Sequence, residues 1–102
     1  MTPITVDELK SRLDSGEDIH LVDVREDHER ADFNIGGIHH KLGQIQMMDA
    51  EPLEDWKNDE IVMYCRSGNR SGQASMILET MGFTNVVNLT GGMLAWEEKF
   101  GR

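Results

Sequence analysis

The sequence predicts an α/β domain built on a mostly parallel sheet. Short apolar runs rich in β-formers, such as EIVMYC (60–65) and VVNL (86–89), alternate with longer segments of helical period. No linker, repeat or low-complexity stretch interrupts that alternation, and 102 residues suffice for one compact core but not two.

Taken in order, DELKSRLDSG is the first predicted helix. Val6, Leu9 and Leu13 share one face, Thr5 caps it with Glu8 completing a capping box, and Gly16 stops it. HLVDVR (20–25) reads as a buried strand ending in charge. EDHERADF then reads as a short polar helix, with Glu26 and Asp27 in the first turn where the helix dipole favours acids. The glycines of NIGGIHHKLG (34–43) demand a turn, followed by a brief edge strand.

From Gly43 to Trp56, the apolar residues Ile45, Met48, Leu53 and Trp56 predict helix, interrupted or restarted around Pro52. EIVMYC is the clearest strand. SGQASMILETMGF follows as a helix, with Ala74, Ile77, Leu78 and Met81 at helical spacing and Gly82 as its stop. VVNL is the last buried strand, and GGMLAWEEKF closes the chain as a helix. Five strand candidates and four or five helices together describe one sheet covered on both faces.

Composition narrows the function. A net charge of −9 opposes nucleic-acid or anionic-membrane binding, which need concentrated positive surface. No stretch approaches the roughly 18 apolar residues of a membrane span, and MTPITVDELK lacks the basic and apolar regions of a secretory signal, so the expected location is cytoplasmic. With Cys65 as the sole cysteine, an internal disulfide and a multi-thiolate zinc site are excluded.

That cysteine lies in YCRSGNRSGQ, where a strand ends and a loop leads into a helix. Ligands of open α/β sheets bind at such carboxyl ends. The backbone N–H groups of residues 66–71 and the positive end of the helix starting near Asn69 to Ser71 favour a thiolate there, below the usual pKa of about 8.5. Arg66 and Arg70 add permanent charge with forks suited to tetrahedral oxyanions. Gly68 lets the loop turn tightly, while Ser67, Asn69 and Ser71 tolerate its geometry; Ser71 can cap the helix or donate to the sulfur. No histidine lies close in sequence, so the implied chemistry is attack by a pre-formed thiolate. The competing reading, a buried structural thiol, leaves both arginines unexplained.

The loop CRSGNRS resembles the active-site loop of the rhodanese (sulfurtransferase) superfamily. LVDVRE (21–26) resembles its early strand motif, IGG (35–37) the following turn, and NLTGGMLAW (88–96) its C-terminal signature. The resemblance extends over nearly all of the chain. It implies one rhodanese-like domain, a five-stranded parallel sheet flanked on both faces by helices, and no cofactor.

The implied reaction is a double displacement. Cys65 takes a sulfane sulfur from a small anionic donor, becomes a persulfide, and passes the sulfur to cyanide or a thiol; a protein acceptor is compatible with this. The cradle would comprise Arg66, Ser67, Gly68, Asn69, Arg70 and Ser71, and arginines in this type of loop point to thiosulfate. One departure is FNIGGI, which has Asn34 and Gly36 where many relatives have His and Pro in Gly-His-Ile-Pro-Gly-Ala.

Two alternatives stand beside this reading. A cysteine phosphatase or arsenate reductase is one, since the related cell-cycle phosphatases share the fold, but their loop holds one residue more than the four between Cys65 and Arg70. A non-enzymatic binding module would not need the intact cradle.

Supporting roles fall to Asp23 and Arg25, and to Gly91 and Gly92. Asp23 either orients an arginine or the loop, or pairs with Arg25, which is expected in a salt bridge within the domain. Gly91 and Gly92 allow close backbone approach near the last helix, a turn that the resemblance places by the active site. His39 and His40 are adjacent and would face opposite ways in a strand, and with His20 and His28 they predict packing or solvation and no metal. Trp96 is expected in the core, and Met47, Met48, Met76, Met81 and Met93 as gap-fillers in the core and on helix faces.

Overall fold

A computed structural model describes residues 1–102. Its elements are β1 (Thr2–Ile4), α1 (Val6–Asp14), β2 (His20–Asp23), α2 (Asp27–Asp32), β3 (Ile38–His39), α3 (Leu42–Gln46), a 3₁₀ helix (Glu51–Trp56), β4 (Glu60–Tyr64), α4 (Asn69–Thr80), β5 (Asn85–Leu89) and α5 (Gly92–Phe100). The five strands form one parallel sheet in the order β1-β5-β4-β2-β3, which confirms the fold class. Central β4 pairs with β2 and β5, so the loop after it opens at the middle of the sheet's carboxyl edge.

Side-chain alternation along β4 divides the core. Ile61, Met63 and Cys65 face α3, the 3₁₀ helix and α4, meeting Ile45, Leu53, Ala74 and Leu78. Val62 and Tyr64 face α1 and α5, meeting Leu9, Met93 and Trp96. Full burial of a Leu such as Leu9 or Leu78 is worth roughly 1.5–3 kcal/mol, so each face holds its helices by its own set of side chains. Trp96 is core, as expected.

The capping box at Thr5 forms in both directions, the Glu8 amide donating to Thr5 Oγ1 and the Thr5 amide to Glu8 Oε1, each at 3.1 Å. Other elements differ from the sequence reading. Of the five strands counted from the sequence only four are located there; the fifth is β1, before Thr5, whose three residues are too few to show a period. β2 ends at Asp23, two residues early, because Asp23 turns its carboxylate back onto the Arg25 amide at 3.0 Å. The helix expected over 43–56, interrupted or restarted around Pro52, is indeed two pieces, with Pro52 in the first turn of the second; the break itself comes earlier, where Met48 adopts φ +63°. That break turns Met47 and Met48 to solvent, and Met76 is exposed on α4; of the methionines expected as gap-fillers, Met93 is buried and Met81 packs on the core.

FNIGGI has a local explanation. Asn34 Oδ1 accepts the Gly36 amide at 2.9 Å, closing an Asx turn, and Gly36 then takes φ +96°, which proline cannot reach. Gly37 follows at φ +84°, where a Cβ would lie 2.4 Å from the Leu21 carbonyl oxygen.

Candidate active site

β4 delivers Cys65 to the base of a tight loop, and Gly68 at φ +102° turns the chain into α4. Three donors converge on Sγ: the Gly68 amide at 3.1 Å, the Ser71 amide at 3.3 Å and the Ser71 hydroxyl at 3.3 Å. Cys65 is only 1% exposed, and burial alone pushes its thiol up. The Ser71 hydroxyl, and the amides of Ser71, Gly68 and Ser67, outweigh that effect and leave it below the ordinary thiol value. The sulfur is thus buried and yet has three hydrogen-bond donors aimed at it.

The C-terminal glycine pair holds the other side of the loop. The Met93 amide donates to the Cys65 carbonyl and the Leu94 amide to the Arg66 carbonyl, both at 2.9 Å. These are orphan N–H groups from the first turn of α5, so the helix start is satisfied by the loop itself. Gly91 and Gly92, at φ +78° and +53°, permit the approach; a Cβ on Gly92 would sit 2.4 Å from the Cys65 carbonyl oxygen.

The two loop arginines have different surroundings. Arg66 is exposed, makes no hydrogen bond or ion pair, and lines a cavity of about 320 Å³ with Arg25, His28, Glu29, Leu94 and Glu97 among others. Arg70 is held by Glu29 of α2 through two bonds, 2.7 and 2.8 Å long. That pair draws the Glu29 carboxyl down to about 2 and raises Arg70 further. Ser67 and Asn69 lie on the rim, and Asn69 opens α4.

Asp23 and Arg25 form the expected salt bridge. Arg25 Nε and Nη2 each donate to the fully buried Asp23 carboxylate at 2.9 Å, and Nη2 also donates to the Phe33 carbonyl at 2.7 Å. Arg30 stands 3.6 Å from the same carboxylate and donates to the Gly36 and Gly37 carbonyls, so the cluster fixes the turn after α2. Tyr64 donates its hydroxyl to the Gly36 carbonyl at 2.8 Å, and burial pushes its phenol up to about 12. His39 and His40 bind the Arg25 and Asp49 carbonyls, and no group of three His, Cys, Asp or Glu side chains could hold a metal.

Sequence reasoning missed two residues that touch the cradle. Glu29 reads as one more acid in a polar helix, with no signal of its distant partner. Asn88 does carry a signal, a single amide inside the otherwise apolar VVNL, and it binds both Ser71 and the Gly68 carbonyl.

A cysteine under converging donors, at the carboxyl end of the central strand of a five-stranded parallel α/β sheet, defines the structural class. Within that class, the chain belongs to the rhodanese-like domain family, whose model matches residues 5–99. A sulfurtransferase of Allochromatium vinosum is 38% identical over 94 residues, covering 91% of this chain and 85% of that one. YrkF of Bacillus subtilis (strain 168) is 36% identical over 97 residues, which span 94% of this chain but 51% of that longer protein. The crystal structure of a rhodanese-like domain protein from Staphylococcus aureus superposes with a TM-score of 0.79 at 34% identity, covering 94% of this chain and 91% of that one. No helix is long and apolar enough to cross a membrane.

Proposed function

We propose that the chain is a thiosulfate-type sulfurtransferase working through a persulfide on Cys65. The observation that carries this reading is the three-donor cradle around Sγ, with the unpaired Arg66 on its rim. Family membership and the sulfurtransferase relatives support it.

In the first half-reaction the Cys65 thiolate attacks the outer sulfur of thiosulfate. The sulfur–sulfur bond of the donor breaks, and sulfite leaves with the electron pair. The new bond is about 2.05 Å long, so the added sulfur lies further out, over the loop amides, and carries the negative charge. In the second half-reaction cyanide, or a thiolate on a small molecule or protein, attacks that outer sulfur and Cys65 departs as thiolate. No proton transfer is needed in either step, consistent with a site that has no histidine on the sulfur.

Arg66 draws the anionic donor in, since a free guanidinium matches an oxyanion. Gly68 and Ser71 hold the attacking charge, Ser67 and Asn69 border the donor, and Arg70 adds its field from a fixed position. Asp23, Arg25, Gly91 and Gly92 act through the walls. The cytoplasm suits such a thiolate, because reducing conditions keep it free.

The test is turnover. Thiosulfate and cyanide should yield thiocyanate and sulfite, and Cys65→Ser should abolish this with the fold intact. Turnover of phosphate esters by the same protein, without thiocyanate, would favour phosphatase chemistry instead.

A further inference from the structure

Ser71 has one hydroxyl proton and two acceptors for it. Its Oγ lies 3.3 Å from Cys65 Sγ and 2.5 Å from Asn88 Oδ1. The orientation of the Asn88 amide follows from its other contact: Nδ2 donates to the Gly68 carbonyl at 3.1 Å, and a carbonyl can only accept. Asn88 Oδ1 therefore faces Ser71 and competes with the sulfur. Asn88 is placed for this by register, standing on β5 beside Met63 of β4, two residues before the cysteine.

We propose that Asn88 is a positioning residue that holds the Ser71 hydroxyl away from a neutral sulfur and yields it when Cys65 carries charge. This rests on reading Cys65 as the reactive thiolate. A thiol is a weak acceptor, so the proton stays on Asn88 Oδ1 while Cys65 is neutral. A thiolate accepts a charge-assisted bond, roughly twice as strong as a neutral one, and takes the proton. Once a second sulfur is added the charge moves outward, the inner sulfur is again a weak acceptor, and the hydroxyl returns to Asn88. The rotor thus follows the charge while the loop stays fixed, because Asn88 keeps hold of Gly68 throughout.

The remaining surroundings of the sulfur do not supply this behaviour. The charged group that acts on it is Arg70 on α4, itself tied to Glu29 of α2, while Arg66, the next residue along the loop, is exposed and unpaired. α5 contributes backbone amides to the loop carbonyls, and the α3–α4 face contributes apolar side chains. β5 contributes only the neutral Asn88.

The experiment follows the pH dependence of alkylation by iodoacetamide, which labels one thiol because Cys65 is the only cysteine. Four proteins are compared: wild type, Ser71→Ala, Asn88→Leu and the double variant. Loss of the Ser71 donor should raise the Cys65 midpoint by about one pH unit, as expected for one hydrogen bond to a charged group. Asn88→Leu should move the midpoint further downward in the wild-type background than in the Ser71→Ala background, by about half a unit, because only Ser71 has a proton to release. Equal shifts in both backgrounds would overturn the proposal, since Asn88 would then act through Gly68 or packing alone. If Asn88→Leu does not fold, Asn88→Asp replaces it. Its carboxylate holds the proton harder, so the upward shift should be larger with Ser71 present than in the Ser71→Ala background, and equal shifts again overturn the proposal. Alkylation needs no sulfur donor, so these outcomes stand whether or not the protein transfers sulfur.

Discussion

Arg70 gives both terminal nitrogens of its guanidinium to the two oxygens of Glu29, across 41 residues of sequence. This bidentate pair ties the first turn of α4 to α2, and so fixes one wall of the cradle to an element that buries no side chain of its own. The arginine that looks like a second anion receptor is a tethered charge.

The tether should titrate. Glu29 is drawn from 4.5 to about 2 in the folded protein, chiefly by its hydrogen bonds from Arg70. Its contribution to stability is complete above pH 4.5 and is lost as pH falls toward 2. Melting temperature against pH should therefore fall less steeply across that window in Glu29→Gln than in the parent. Parallel curves would mean that the pair adds nothing, as for many exposed pairs.

The α5 start should tolerate no side chain where it meets the loop. In Gly92→Ala the new Cβ meets the Cys65 carbonyl at φ +53°, so a loss of about 2 kcal/mol or more is expected, together with loss of thiocyanate formation. Gly43, on α3, has nothing within 4 Å and no positive φ, and Gly43→Ala should stabilise by about 0.4–1 kcal/mol. Chemical denaturation of the two proteins tests the contrast.

Buried and exposed charges should separate cleanly. Asp23→Ala leaves Arg25 buried without its partner and should cost about 3–5 kcal/mol. Arg66→Ala breaks no contact and should stay within about 0.5 kcal/mol of the parent, while raising the KM for thiosulfate. An unchanged KM would leave donor binding to the loop amides alone.

The legible parts of the sequence are those where one local rule decides the outcome. Alternation in EIVMYC sets β4 and its two faces, Thr5 and Glu8 set the start of α1, and Cys65 followed by Gly68 at the end of a strand marks the cradle. Contacts between distant residues are not legible. The Glu29 to Arg70 pair and the Asn88 to Ser71 bond depend on strand order and register, which no local pattern encodes. Met48 escapes for a different reason: its spacing fits a helix, but the chain turns left-handed there before Pro52 and carries the side chain outward.

The most direct test is the mass of the intact protein after brief exposure to thiosulfate and removal of excess donor. The expected result is a gain of one sulfur atom, located on Cys65, lost on adding cyanide and absent from Cys65→Ser. An unchanged mass in the folded wild-type protein, or a gain that persists in Cys65→Ser, would contradict a persulfide held in this cradle.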